Sequence, residues 1–398
     1  MRPLRYVQLG NNGPGLIAAL PFNTLCRMNL SYWEYQSWFA ETDFTLVGSG
    51  IVGLSCALQL RERYPRARIL VLEKGMLPQG ASTKNAGFAC FGSISEILAD
   101  LSQQSEQEVL ELVQRRWEGI QRLRGMLGDK AIDFQNLGGH EVFLGEQNTL
   151  YRQCLEEMDR VNHLLKPVFG EAPFKRVSNR FHFSRVQDHY ITHRFEGQID
   201  TGKMMLALLD LARQKDIRVL NGLGVQHFEE HPQGVRVQTG TFEFETRQLL
   251  VTTNGFAAQL LKEDVVPARA QVLITQPIKN LPVEGTFHLD QGYYYFRNVH
   301  DRLLIGGGRN LDFKGETTTD FGQTSLIQGR LEQLLREVIL PGTPFEVDRR
   351  WSGIMGVGGS KKPIVRQLSD RVYCGVRLGG MGIAIGSLVG QELADLTS

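Results

Sequence analysis

The stretch TLVGSGIVGLSCALQLRERYPRARILVLEKG, Thr45 to Gly75, decides the fold. An apolar run opens it, three glycines follow, a helix-forming segment ends before Pro65, and a second apolar run ends in an acid. Gly48, Gly50 and Gly53 satisfy the GxGxxG spacing directly after a strand and at the opening of a helix. The three glycines do different things. Gly48 permits the tight turn, Gly50 lets backbone amides reach a diphosphate, and Gly53 lets the helix lie close on the strand. The amides at the helix start, Ile51 and Val52, point a positive dipole end at the phosphates. Glu73, 20 residues beyond Gly53 and followed by Lys74, stands where an acid accepts the adenosine ribose hydroxyls. This βαβ unit is a dinucleotide site, and it does not by itself separate NAD from FAD.

The bulk composition fits a soluble enzyme. The chain has 398 residues, enough for two domains with their own cores, with 42% apolar and 22% charged residues. A net charge of +1, from 44 basic and 43 acidic residues, gives no reason to expect nucleic acid or an anionic membrane as partner. No apolar run reaches the length of a membrane span. Cys26, Cys56, Cys90, Cys154 and Cys374 form no CxxC pair, which points to a reducing cytoplasm and to neither a disulfide framework nor a zinc site. Residues 1–27 read as an extension ahead of a start at Met28, with Tyr32, Trp33, Tyr35, Trp38 and Phe39 expected to pack an N-terminal helical turn on the body.

Downstream, 94–125 carries helical apolar spacing, as do 148–165 and the segment after Asp200 and Thr201. The period then becomes two through IRVLNG, GVQHFEE, GVRVQT, TFEFET and RQLLVTTN, and again through GTFHLD, GYYYFRN and RLLIGGG. The expected architecture is α/β: a Rossmann-like dinucleotide-binding domain (43–100, 195–260 and 345–398) after the 1–42 extension, with a discontinuous substrate domain (101–194 and 261–344) built on a mixed β-sheet.

Two distant segments extend the glycine turn. GASTKNAGFACFG, 80–92, suits a loop wrapped on a cofactor, and CGVRLGGMGIAIGSLVGQELADL, 374–396, again runs strand, glycine turn, helix. With GQIDTGKMMLALLDLA, GLGV, LLVTTNGFA, VPARAQV, LLIGGG and WSG in the same order, the chain from Asp43 to its end resembles the D-amino acid oxidase family of FAD enzymes, which includes glycine and sarcosine oxidases. The resemblance implies FAD as cofactor. Ser82, Thr83, Asn85, Ala86 and Gly87 would line the flavin and ribityl side. Val225 would meet adenine through its backbone, and Thr253, Asn254 and Gly255 would belong to the cofactor wall. Gly380, Met381, Gly382 and Ile383 would give amides to the pyrimidine end of the ring.

The chain departs from that family at the substrate end. Relatives often place an Arg shortly after a WxG motif to hold the substrate carboxylate, whereas Trp351, Ser352 and Gly353 are followed by Ile354, Met355 and Gly356. Arg297 and Arg309 are the alternative cations, with Tyr294 and Tyr295 as hydroxyl donors; Arg297 is expected on the same strand face as Tyr295. The relatives' covalent Cys is missing, since no Cys lies between Cys154 and Cys374, so FAD is expected to be noncovalent. Their oxygen-handling Lys is replaced by Leu304, which leaves O2 or a quinone or carrier as electron acceptor. The implied reaction passes a hydride from the α carbon of a small amine or amino acid to flavin N5 and leaves an imine. Alternatives are a hydroxy acid or polyol dehydrogenase with His140 as base, or a flavin-binding protein without turnover. No metal-ligand spacing stands out among His140, His182, His189 and His193.

Overall fold

The computed structural model describes residues 29–397, so the extension read at 1–27 and the start at Met28 lie outside the described residues. The glycine-turn unit builds the first of two large sheets. Thr42–Val47 pairs in parallel with Ile69–Glu73 on one side and with Glu243–Val251 on the other. Arg218–Asn221 and Val372–Val376 extend the two sides, also in parallel. Ile364–Gln367 runs antiparallel at one edge, and the hairpin Val225–His231 and Gly234–Thr239 attaches to Glu243–Val251. Ile69–Glu73 and Val372–Val376 are buried throughout, as expected of parallel strands covered on both faces, whereas Arg218–Asn221 at the edge is only partly buried.

Helices cover this sheet at close range. Gly390 of the C-terminal helix Gly382–Asp395 lies where a Cβ would sit 2.7 Å from both the Ser55 Cβ and the Val52 carbonyl of helix Ile51–Arg63. Gly119 of helix Glu106–Leu127 leaves only 2.0 Å between such a Cβ and the Ala384 carbonyl, and Ser387 Oγ donates to the Gly119 carbonyl at 2.6 Å. Glycine is what lets three helices stack this tightly.

The second sheet has eight strands in the order Val347–Val357, Val266–Thr275, Arg302–Gly307, Tyr294–Val299, Thr286–Leu289, Gly139–Val142, His189–His193 and Phe174–Ser178. All neighbours are antiparallel except the central Thr286–Leu289 and Gly139–Val142 pair. The mixed α/β architecture with a Rossmann-like half matches the sequence-based expectation. Ring packing of Phe181, Phe183, Phe287 and Phe296 fills the outer face of the second sheet, where Phe287 and Phe296 stack at 4.6 Å.

Several local expectations change. The 94–125 segment is two helices, Ile94–Leu101 and Glu106–Leu127, because Ser93 with Glu96 and Ser105 with Glu108 each form a capping box. Tyr32–Trp38 is a helix as expected, but Tyr32, Trp33 and Trp38 remain exposed, Tyr35 is half-buried, and it is Phe39 that buries its ring, against Phe242 and Phe244. Sheet membership and helix packing do not follow order along the chain. Val347–Val357 pairs along Val266–Thr275, so it belongs to the second sheet although it follows residue 345, and Glu106–Leu127 packs on the helices of the first sheet although it follows residue 101. Strand pairing, not order along the chain, sets both memberships.

Candidate active site

A cavity of about 770 Å3 runs from the glycine turn to the inner face of the second sheet, within the size range of a ligand pocket. Its first part is built from the residues of the dinucleotide motif. Gly48, with φ +108, makes the turn that an L side chain resists, and a Cβ at Gly53 would sit 2.0 Å from the Gly48 carbonyl. Gly53 therefore packs helix on strand and does not line the cavity, whereas Gly48, Gly50, Ile51 and Val52 do. Glu73 is buried at the cavity wall beside Lys74; its Oε2 accepts from Ser49 N and Oγ at 3.2 and 2.7 Å, and its Oε1 from Gly75 N at 3.0 Å. These bonds fix the carboxylate at the cavity wall.

The 80–92 loop closes over the turn. Ser82 Oγ accepts the Ile51 amide at 3.0 Å, and Asn85 ties the loop down by donating to the carbonyls of Ala81 and Ser82 while its Oδ1 accepts the Gly87 amide. Ser82, Asn85 and Ala86 line the cavity; Thr83 and Gly87 do not. Thr83 Oγ1 is spent on the Pro78 carbonyl, and Gly87 is pressed on Ile199 and Arg297. Val225 lines the far end. Thr253 and Asn254 line the wall, with Asn254 Oδ1 accepting the Leu378 amide at 3.1 Å, but Gly255 is turned onto the backbone of Ile354 and Met355. Gly380, Met381, Gly382 and Ile383 line the opposite side at the start of the C-terminal helix.

These residues fit FAD. Side chains at Gly380 and Gly382 would enter open space, meeting no atom closer than 3.9 Å, and Thr253 Oγ1 is buried in the wall without a protein partner. The helices that open at Ile51 and Gly382 bring a positive dipole end to each side of the cavity, with the Ile51 amide itself taken by Ser82 Oγ.

The second part of the cavity is lined by Phe88, Cys90, Ala270, Val272, Tyr293 and Tyr295, with Arg309 and Phe321 farther along. Tyr295 is half-buried, and burial of its hydroxyl raises it to about 12, so it donates rather than ionises. Tyr294 points to the other face of its strand, into the core. Arg297 shares the Tyr295 face as alternation requires, but it does not line the cavity: Nη2 donates to the Ile199 carbonyl at 3.0 Å, and burial pulls the guanidinium down to about 10. Arg297 braces the back of the 80–92 loop at Gly87. Arg309 does line the cavity. It makes no ion pair among the described residues, its Nε is buried without an acceptor, and its guanidinium carbon lies 5.0 Å from the centroid of the Phe313 ring.

His140 is not at the cavity. It is buried with Nδ1 2.8 Å from Thr192 Oγ1, and burial depresses it to about 3. The imidazole that does reach the cavity is His288, and with it come Cys90, Glu96 and Lys84. A single His in an alternating strand carries no motif, so its sequence context does not single out His288; its position on the Tyr295 face follows only from the pairing of His288 with Tyr295. Lys84 and Cys90 belong to the 80–92 loop, where the small and polar residues around them carry the cofactor signal. Lys361 binds Asp100 at 2.5 Å and Lys362 binds Glu108 at 3.0 Å. No helix among the described residues is long and apolar enough to cross a membrane.

Known proteins share this fold. The structure superposes on glycine oxidase from Geobacillus kaustophilus with a TM-score of 0.71 at 19% identity, covering 89% of this chain and 94% of that one. It superposes on L-proline dehydrogenase from P. horikoshii with a TM-score of 0.70 at 17% identity, covering 89% and 93%. In sequence, it is 23% identical over 377 residues to gamma-glutamylputrescine oxidoreductase from Escherichia coli (strain K12), covering 89% of this chain and 83% of that one. Residues 43–396 match the family model DAO, FAD dependent oxidoreductase, and with the cofactor wall described above the chain belongs to that family of FAD-dependent oxidoreductases.

Proposed function

We propose that the protein oxidises a small amine or amino acid, with FAD bound noncovalently by the first part of the cavity and the substrate held in the second. FAD supplies the hydride acceptor. The chain's own contribution is to place the substrate α C–H over the ring, exclude water and neutralise the substrate's charge. Phe88, Ala270, Val272 and Met355 give an apolar wall, and the Tyr295 hydroxyl is available as a donor. No side chain is needed to accept the hydride, and the imine product is hydrolysed by water.

The observation that carries the reading is Arg309. A cation that lines the cavity without an ion pair is poised for an anionic ligand, and a carboxylate buried beside a flavin requires such a partner. Arg297, the other cation considered, is occupied behind the 80–92 loop. Glycine oxidase and L-proline dehydrogenase, with which the chain shares its fold, bear names of amino acid chemistry, which is consistent with this reading.

A hydroxy acid or polyol remains the second reading because His288 lines the cavity and alcohol oxidation calls for a base. Anaerobic mixing of the flavin-loaded protein with panels of amines, amino acids and hydroxy acids tests both: bleaching by an amine or amino acid supports the first, and bleaching by hydroxy acids alone replaces it with the second. Oxygen uptake against reduction of a quinone or dye then identifies the acceptor as O2 or a carrier.

A further inference from the structure

At the inner end of the cavity the imidazole of His288 is backed by the carboxylate of Glu196, which lies behind the lining. His288, buried and lining the cavity, turns Nε2 toward Glu196 Oε2 at 3.7 Å, with no closer partner for that nitrogen. Its Nδ1 makes no hydrogen bond among the described residues. Glu196 is itself fixed: its Oε1 accepts the Phe91 amide at 2.7 Å and the Gly92 amide at 3.2 Å. The Phe88 ring stands edge-on to His288 at 5.4 Å and to Tyr295 at 5.5 Å, so imidazole and phenol flank one aromatic at the substrate wall. A carboxylate within ion-pair distance of an imidazole whose other nitrogen makes no hydrogen bond is placed as a positioning group is placed beside a general base.

The proposed amine oxidation, on which this inference rests, creates a need for such a pair. Amines and amino acids arrive as ammonium ions, and a nitrogen without a lone pair cannot assist departure of the α hydride. We propose that His288 is the catalytic base that takes a proton from the substrate ammonium, and that Glu196 is the positioning residue that orients and supports it. In that step an N–H bond of the ammonium breaks and an N–H bond forms at His288 Nδ1. The substrate keeps its electron pair as a neutral amine, and the imidazolium is balanced by Glu196. The proton returns to water when the product leaves.

The charges around the imidazole are consistent with this step. Burial works against a charge on His288, but Glu196, Glu96 and Glu141 outweigh it and hold the group at about 8. Burial likewise works against charge on Glu196, yet His288, His193 and the Phe91 amide bring it to about 2, so it stays ionised beside its partner. Glu141, opposite His288 on the neighbouring strand, is raised by burial to about 7 and is held by Ser95. Burial lowers His193 to about 4, and it stays neutral. The Cys90 thiol, also at this end, is pushed up by burial and stays protonated. Cys90, Glu196 and His288 offer ligand atoms within 4.8 Å of one another; the Glu196 oxygen on the imidazole side is Oε2, the one not taken by the Phe91 and Gly92 amides.

The test is the pH dependence of anaerobic flavin reduction by a saturating amine substrate, followed by stopped flow from about pH 6 to about pH 10. In the wild type the limiting rate rises tenfold per unit and levels off near pH 8. In His288→Gln that limb is absent. The rate is about 100-fold lower at its plateau pH and recovers toward the wild type only as pH passes the substrate's own ammonium pKa. Glu196→Gln keeps the limb but moves it to lower pH. Independently of turnover, the His288 ring proton, assigned by its loss in the variant, titrates near pH 8 by NMR and moves down in Glu196→Gln. FAD content and thermal midpoint are the folding controls; if His288→Gln does not fold, the wild-type ring titration and Glu196→Gln decide. Bleaching by amines with the same pH limb in wild type and His288→Gln, or a His288 ring that does not titrate near pH 8, overturns the base assignment alone. No bleaching by any amine overturns the amine reading itself.

Discussion

Ser82 Oγ accepts the amide of Ile51 at 3.0 Å, so a loop 31 residues downstream closes directly on the first turn of the dinucleotide helix. The same hydroxyl stands 2.9 Å from where a Cβ on Gly50 would be. The glycine turn and the 80–92 loop therefore form one continuous wall of the cavity.

Gly50→Leu should abolish FAD retention. The first carbon of the new side chain would push Ser82 off the Ile51 amide, and the rest would fill the diphosphate position. The measurement is flavin per protein after desalting, and normal flavin content in a folded Gly50→Leu protein would count against the site.

FAD should leave intact on acid or heat denaturation, because no covalent attachment is expected. Cys90 lines the cavity but is held as a neutral thiol by burial, and the thiolate is the reactive form. Yellow colour remaining with the precipitate would refute noncovalent binding.

Buried His140 should make the protein acid-sensitive. Its folded pKa, about 3, lies below the unfolded value of about 6.5. A depressed histidine contributes stability that is complete above the unfolded pKa and is lost as pH falls from there toward the folded one. The loss is about 1.4 kcal/mol per unit for one group. Denaturant unfolding at pH 6.5 and at pH 4.5, which are about two units apart, should show roughly 2–3 kcal/mol less loss in His140→Gln than in the wild type. Equal losses would show that His140 takes up its proton in the folded state.

Much of the cofactor half was legible in the sequence because its determinants are local. Gly48, Gly50, Gly53 and Glu73 sit in one βαβ unit whose geometry follows from spacing alone. The substrate half depends on which strands pair. Arg297 and Tyr295 share a face, as alternation says, yet two residues along a strand are about 7 Å, enough to carry Arg297 past the cavity and behind Gly87. His288 becomes a cavity residue only because Thr286–Leu289 lies beside Tyr294–Val299. The break near Ser105 was legible too, since Ser105 and Glu108 spell a capping box, but continuous apolar spacing on both sides hid it.

On the proposed function, the second part of the cavity receives an amine or amino acid whose carboxylate meets Arg309. The most direct measurement is anaerobic titration of the flavin with the identified substrate in wild type, Arg309→Met and Arg297→Met. Loss of one charge-assisted bond of about 1.5–3 kcal/mol predicts a 10- to 100-fold weaker apparent substrate constant, roughly, in Arg309→Met, with normal FAD content. Arg297→Met should instead lower FAD content or stability and leave the constant of the remaining holoprotein near the wild-type value. An unchanged constant in Arg309→Met, or a loss confined to Arg297→Met, would contradict the assignment of Arg309 as the carboxylate's partner.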